Sequence, residues 1–178
     1  MTKLSSSMTV ERYHSLAEKG DRHALSLFIV ERFNEKYFSP IENSPSKHGF
    51  ASLAIACLVV ETIESFYQGL PDTKYKSKKM FRDFFGRDTA FKEFADGDWF
   101  YEDIRCGILH QGETCGGWRI WRRGPILDKK NKTINATKFL RALQFTVQQY
   151  STQVVADELL WNNFQKKMSA VCANCEAP

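Results

Sequence analysis

The sequence predicts an all-α protein, a helical bundle of four or more helices with a small β-hairpin insertion late in the chain. Two observations lead there. Apolar side chains recur at helical spacing through most of the 178 residues, and short segments rich in Gly, Pro and Ser separate these stretches. Residues 118–121 instead alternate with the period of a strand. We therefore expect one domain over 1–178, with 1–8 and 173–178 flexible.

The composition predicts a globular protein that is neither membrane-spanning nor secreted. The hydrophobic fraction of 43% is ordinary for a globular protein, and the net charge of +4 only mildly favours a polyanionic partner. The longest apolar run, residues 49–60, is shorter than the roughly 20 residues that a bilayer needs. The first residues lack the apolar core of a signal peptide. We expect a cytoplasmic protein that contacts no membrane and whose five cysteines are reduced thiols.

Two helices open the chain. Thr9 is placed to cap the first, which we expect to end at Gly20. Asp21 is placed to cap the second, which we expect to close before Pro40. Its apolar residues recur every fourth position, at Leu25, Ile29, Phe33 and Tyr37. Residues 39–48 then form a predicted loop.

The third helix, over residues 46–70, is apolar nearly all round and is expected to form the centre of the bundle, packed against residues 99–110. Five basic residues follow within 74–82, interleaved with aromatic ones. This segment is either a solvated helix face or a track for an RNA backbone. The residues proposed as RNA contacts there are Lys76, Lys79 and Arg82.

A short helix and turn over 88–98 should point Phe91 and Phe94 inward, and Asp98 should cap the next helix. That helix, residues 99–111, carries Arg105 and His110 in an otherwise apolar segment. On an α-helical wheel the two side chains lie roughly 140° apart. They can meet if the helix loosens at Gly107, if the arginine reaches across, or if a second copy of the helix packs alongside.

The pair suggests phosphodiester cleavage. A histidine can take or give a proton near neutral pH, and an arginine offers a charged planar fork of donors that matches a phosphate. RNA supplies its own nucleophile, the 2′-hydroxyl, so no metal or serine is required. The competing interpretation is a surface salt bridge of Arg105 with Glu102 or Asp103, and a histidine that satisfies a helix end.

The run Arg105-Cys106-Gly107-Ile108-Leu109-His110 resembles the Arg-x(4–6)-His signature of the HEPN superfamily. Its members are small helical bundles, mostly dimeric, and often metal-independent endoribonucleases of toxin–antitoxin and phage-defence systems. The resemblance implies that Arg105 binds phosphate, that His110 is the general acid–base, and that the protein is a homodimer with RNA as substrate and an antitoxin or sensor protein as a further partner.

The resemblance also supplies an alternative. The family usually has Asn, Asp or His directly after the arginine, where this chain has Cys106. Catalytically silent members exist, so the second hypothesis is an RNA- or nucleotide-binding or protein-interaction module.

The predicted hairpin follows at residues 118–127. It projects a basic, tryptophan-bearing segment just after His110, where it could clamp a single strand of RNA by stacking and phosphate contacts. The alternative is that the tryptophans cap the bundle and the charges are merely exposed. The proposed RNA contacts are Trp118, Arg119, Trp121, Arg122 and Arg123.

Two more helices complete the bundle. Asn135 or Thr133 begins a long one with an apolar stripe from Phe139 to Val154, and apolar residues extend helix from Leu159 towards Ala173.

Metal and cofactor chemistry finds little support in the sequence. Cys106, His110 and Cys115 have zinc-ligand types, but a ribbon or finger needs two close-spaced pairs and only Cys172 and Cys175 form one. The chain lacks a glycine-rich phosphate loop, a Gly-x-Ser-x-Gly elbow and a dinucleotide fingerprint. We therefore expect neither a metal nor a cofactor.

Overall fold

The structure is a computed structural model that describes residues 2–46 and 48–176. It is mostly helical (69%) with a small three-stranded sheet between helices, which confirms the predicted class. The α-helices are α1 (Val10–Glu18), α2 (Arg22–Phe33), α3 (Ser39–Glu42), α4 (Gly49–Gln68), α5 (Ser77–Arg87), α6 (Ala136–Ala156) and α7 (Glu158–Glu176). The segment Phe100–Gln111 is wound as a π-helix, called the π-helix below, and Thr89–Phe94 is a 3₁₀-helix.

The N-terminal segment packs instead of fraying. Leu4 and Met8 are buried, and the Arg32 guanidinium donates to the carbonyl oxygen of Leu4 at 2.6 Å. These two apolar side chains are enough to anchor the segment. The small polar residues around them made the segment look flexible in the sequence. The expectation of flexibility at 1–8 is therefore replaced, over residues 2–8, by a packed strap across α2.

The predicted caps of the first two helices are confirmed. Thr9 accepts from the backbone N–H of Arg12, and Asp21 accepts from that of Ala24. The second helical segment does not close before Pro40, however. It widens into a π-helical turn, Asn34–Phe38, and continues into α3, whose first turn contains Pro40. Proline is tolerated there because the first turn of a helix has no use for its missing N–H.

Helix α4 occupies the centre, as predicted, and contacts α5, α6, α7 and the π-helix. It ends at Gly69, whose φ of +65° is the left-handed conformation that stops a helix. Its length and mean hydropathy of 1.6 would also suit a membrane span, and only half of that apolar window is buried. The uncovered face carries a row of apolar residues, here named the α4 stripe: Ala51, Ala54, Ile55 and Leu58.

An aromatic cluster holds the start of the π-helix. Phe100 stacks on Phe139 of α6 with ring centroids 5.2 Å apart, and Phe85 of α5 meets Phe100 edge-on at 5.0 Å. Phe91 and Phe94 of the 3₁₀-helix are fully buried beside them, as predicted. Large aromatic faces in several orientations fix this end of the π-helix against three other elements.

The insertion after the π-helix is a mixed sheet in the order β1 (Arg119–Trp121), β3 (Thr133–Asn135), β2 (Leu127–Asp128). The first strand pairs in parallel with β3, while β2 and β3 form the antiparallel pair. The predicted pairing of 118–121 with 126–127 is therefore wrong. Ile134 of β3, the central strand, is fully buried in the core.

Candidate functional site

The π-helix brings Arg105 and His110 together. Its backbone hydrogen bonds join residues five apart, as in the bond from the Gly112 N–H to the Gly107 carbonyl. Residues at that separation therefore follow each other on one face, whereas an α-helix would direct them apart. Arg105 Nη1 lies 3.4 Å from His110 Nε2. A widened helix is thus sufficient for the two side chains to meet within one chain.

Gly107 lets the returning chain pack against this widened turn. A Cβ on Gly107 would lie 2.5 Å from the Glu113 carbonyl oxygen and 3.2 Å from the Cys115 backbone nitrogen. The Cys115 N–H donates to the Asp103 carbonyl at 2.8 Å, so the segment after the π-helix ties back to its middle. The absence of a side chain at 107 is what permits this close approach.

Glu61 of α4 anchors the arginine, and sequence reasoning missed it. Arg105 Nε lies 3.1 Å from Glu61 Oε1, with the two side chains 17% and 13% exposed. The Ser77 hydroxyl donates to the other carboxylate oxygen at 2.7 Å. Partial burial alone would lower the pKa of Arg105, but the charge and hydrogen bond of Glu61 outweigh it and raise the pKa. The guanidinium is therefore permanently charged and held by one edge.

Arg105 therefore does not form the surface salt bridge with Glu102 or Asp103 that was the alternative prediction. Glu102 pairs with Lys78 of α5 and not with Arg105. Asp103 faces the backbone of Gly116, where an added Cβ would lie 2.5 Å from a carboxylate oxygen. Glu61 is one of two carboxylates in an otherwise apolar helix, and this was the available signal for the true partner.

The contact with Arg105 also sets how His110 is presented. A guanidinium has only donors, so in any hydrogen bond between the two side chains His110 Nε2 is the acceptor. His110 is exposed at the end of the π-helix. A solvent-reachable imidazole nitrogen beside a fixed cation is suited to exchanging a proton next to a bound anion.

Tyr101 and Cys106 border the pair. The Arg105 guanidinium lies 5.5 Å from the centre of the Tyr101 ring, within the range of a cation–π contact. Burial raises the pKa of Tyr101, and the nearby Cys106 thiol raises it further. The thiol that follows the arginine therefore lies near this ring.

The basic residues of α5 are largely paired. Lys79 bridges to Asp83, and Arg82 to Asp98 at 2.8 Å. Lys78 bridges to Asp98 as well, so Asp98 is occupied by two cations and does not cap the π-helix as predicted. Within the described residues, Lys76 has no ion pair. An RNA phosphate would therefore compete with nearby carboxylates for Lys79 and Arg82, but not for Lys76, which lies just before α5.

The other proposed RNA contacts, which lie in the insertion, do not share one surface. Trp118 is buried and stacks on Trp99 with ring centroids 4.0 Å apart, so it belongs to the core and is removed from the candidate RNA contacts. Trp121 is 49% exposed, with the Arg119 guanidinium 5.9 Å from its ring. These two side chains and Arg123 line a cavity of about 370 Å³.

Arg122 points to the other face of β1. It lines a separate cavity with Arg141 of α6 beside the start of α4. The alternation of side chains along an extended chain explains the division, because successive residues point to opposite faces. The sequence predicted a single basic surface here, and the structure contains two.

Comparisons with models of protein families, with curated proteins and with solved structures found no match. Within residues 2–46 and 48–176, no three His, Cys, Asp or Glu side chains gather in a way that would hold a metal ion. The case for a function therefore rests on the geometry of Arg105, His110 and Glu61.

Proposed function

We propose that the protein is a metal-independent endoribonuclease of HEPN type, with Arg105 as the phosphate-binding residue and His110 as the general acid–base. The observation that carries this proposal is the 3.4 Å approach of the guanidinium to the imidazole at an exposed position. Glu61 supports it, because it fixes one edge of the guanidinium and leaves the Nη groups for a phosphate.

The reaction uses the nucleophile of the substrate. A scissile phosphate accepts hydrogen bonds from the Nη groups of Arg105 and replaces the contact of Nη1 with His110. His110 Nε2 removes the proton of the 2′-hydroxyl as O2′ bonds to phosphorus, and the P–O5′ bond breaks. The departing O5′ takes a proton from a protonated imidazole, which a second copy of His110 supplies in a dimer. The products carry a 2′,3′-cyclic phosphate and a 5′-hydroxyl. Arg105 stabilises the charge that grows on the phosphorus oxygens.

The α4 stripe supports a homodimer. It is an apolar row on the uncovered side of a central helix, and Leu58 within it is 44% exposed. Glu61 lies one turn further along the same helix, so the stripe runs up to the Arg105 anchor. Pairing two copies through this row would bury it and bring two Arg105–His110 pairs to the same groove. Such a dimer, acting on RNA in the cytoplasm under an antitoxin or sensor protein, is the assembly we propose.

Substitution of His110 tests the chemistry. We expect His110→Ala to lose about 10²- to 10⁴-fold in the rate of RNA cleavage in EDTA, because the proton acceptor is gone. Cleavage is followed on a single-stranded RNA pool, with mass spectrometry of the product ends for the cyclic phosphate. His23→Ala, an exposed histidine on α2, is the matched control and should cleave like the parent. Equal cleavage by the parent and His110→Ala would reject the proposal.

Substitution in the stripe tests the assembly. Leu58→Glu introduces a charge into the proposed interface and should yield a monomer in analytical ultracentrifugation. Leu27→Glu on α2, a leucine outside the stripe that is more exposed than Leu58 (59% against 44%), should leave the dimer intact. A parent protein that sediments as a monomer at all concentrations contradicts the dimer and leaves the chemistry of a single Arg105–His110 pair to be judged by the cleavage assay.

A second candidate is the catalytically silent module that binds RNA, a nucleotide or a protein partner. Cys106 favours it, because the family usually has Asn, Asp or His at this position directly after the arginine. This candidate predicts RNA binding that survives His110→Ala and no cleavage by the parent protein.

A further inference from the structure

A second cavity lies where α3, the first turn of α4, the segment after β1 and α6 meet. Its volume is about 210 Å³, and Arg122 and Arg141 enter it from two different elements. Gly49 of α4 lies against Ile120 of β1, where a Cβ would come within 2.9 Å of the isoleucine side chain. This close contact fixes the neighbouring Arg122 beside the start of α4.

The Arg122–Arg141 cavity holds two arginines and one carboxylate, so its net charge is positive. Among the described residues, neither arginine forms an ion pair or a side-chain hydrogen bond. The single carboxylate at the cavity, Glu42, already accepts from the Gln144 amide at 2.8 Å. The basic residues of α5 differ in this respect, because Lys78, Lys79 and Arg82 each have an acidic partner.

Three further groups suit an anion. His48 and the hydroxyl of Thr137 line the same space. The first turn of α4 adds backbone donors, because His48 makes no side-chain cap and no acidic residue lies in that turn. Two arginines set at an angle to each other match the several oxygens of one phosphate better than they match a single carboxylate.

We propose that the Arg122–Arg141 cavity binds a phosphate group, as a free ion, a small phosphorylated metabolite or the phosphate of a nucleic acid strand. This site is separate from Arg105 and His110. Glu61 lies 12 residues along α4 from Gly49, so the two sites are roughly 18 Å apart at the rise of an α-helix.

The test is a titration of the full chain with inorganic phosphate, followed by the NMR shifts of the Gly49 backbone amide and of the arginine Nε–H groups. We expect a saturable shift of the Gly49 amide. Arg122→Gln and Arg141→Gln should each weaken binding by roughly tenfold or more, because each removes charged hydrogen bonds to the anion. Arg123→Gln, the adjacent arginine on the opposite face, should change phosphate affinity at Gly49 by less than about twofold.

An unmoved Gly49 amide, or equal phosphate affinity in the parent and both glutamine variants, overturns the proposal. His110→Ala should bind phosphate at Gly49 like the parent, so failure of the nuclease proposal and failure of this one are separable. Circular dichroism of each variant verifies that it is folded.

Competition identifies the source of the phosphate. A DNA tetranucleotide with a 5′-phosphate, which lacks the 2′-hydroxyl and is not cleaved, is compared with the same strand without it. Displacement of inorganic phosphate by the first strand alone assigns a strand end, and displacement by both assigns internal phosphodiesters. Displacement by neither assigns free phosphate or a small phosphorylated molecule. Each outcome supports a phosphate site and names its ligand class.

Discussion

Helix α4 carries two carboxylates three residues apart, and each pairs with an arginine from another helix. Glu64 and Arg87 form the inner pair, with the glutamate side chain 3% exposed. Glu61 and Arg105 form the outer pair, whose side chains are 13% and 17% exposed. The same residue types at nearly the same height on one helix therefore provide an internal comparison.

The two pairs differ in what else the arginine faces. The Arg87 guanidinium lies 3.4 Å from the centre of the Tyr67 ring, and Gln68 donates to Glu64 at 2.7 Å, so the inner pair is closed by neighbouring side chains. The Arg105 guanidinium is held along one edge and turns the other towards His110. The inner pair, whose arginine is covered by other side chains, serves to join helices. In the outer pair the arginine keeps N–H donors that a ligand can reach.

Removing the outer arginine should have the largest effect. Arg105→Ala is expected to reduce RNA cleavage by about 10²- to 10³-fold, the loss typical when a donor to a developing negative charge is removed. The free energy of unfolding should fall by about 1–2 kcal/mol, because the Glu61 carboxylate left behind is mostly buried but keeps hydrogen bonds from Ser77 and Thr73. Cleavage rates and urea unfolding measure the two quantities. A loss of stability that matches the loss of activity would make the outer pair structural as well.

Removing the inner arginine should give the opposite result. Arg87→Ala leaves the buried Glu64 carboxylate with only Gln68 as a partner, and should cost about 2–3 kcal/mol of unfolding free energy. The value is below that of a fully buried pair because the Arg87 side chain is one-third exposed. Cleavage per folded molecule should equal that of the parent. A loss of cleavage in folded Arg87→Ala would erase the distinction between the two pairs.

Neutralising each glutamate sharpens the comparison. Glu61→Gln keeps an oxygen that can accept from Arg105 but removes the charge, and should lower kcat by roughly tenfold with little change in KM if it positions the guanidinium. Glu64→Gln is the matched control. It should lower the urea midpoint while leaving kcat unchanged. Equal kcat values for the parent and Glu61→Gln would contradict a positioning role.

A third carboxylate, Glu31, has only neutral partners and extends the comparison to low pH. Its expected effect on stability is the smallest of those described. Partial burial alone would raise the pKa of Glu31, but hydrogen bonds from the Ser7 hydroxyl and N–H and from the Ser6 hydroxyl lower it to about 2. A carboxyl whose pKa is depressed by folding stabilises the fold above its unfolded pKa. That contribution should be full above about pH 4.5 and lost as the pH falls towards 2. Urea midpoints of the parent and of Glu31→Gln across this range should converge at low pH, and a constant difference would contradict the assignment.

Periodicity predicted most of the helices because burial of apolar stripes is a local property of the chain. Thr9 and Asp21 are confirmed as caps for the same reason, since a cap bonds within its own first turn. The order of the strands depends on the pairing of residues 14 positions apart in the chain, and the sequence did not predict it. Trp118 was proposed as an RNA contact because its stacking partner, Trp99, is distant in the chain.

The candidate site was predictable in its residues and not in its geometry. Arg105 and His110 stood out by chemistry, but the angle between them depends on how the helix is wound. That winding accompanies contacts of Gly107 with Cys115 and of Asp103 with the returning chain, which no short pattern reveals. Glu61 lies 44 residues before Arg105, so only the fold joins them.

The winding of Phe100–Gln111 bears on which insertions and deletions this segment can tolerate. A π-helical turn accommodates one residue more than an α-helical turn between the two ends of a backbone hydrogen bond. Deleting the exposed Leu109 would leave the arginine and the histidine four positions apart, which is the spacing of facing neighbours on an α-helix. A chain one residue shorter can therefore bring the arginine and the histidine together on an ordinary α-helix. One residue more between them requires the wider π-helix, so the length of the segment and the winding of the helix compensate for each other.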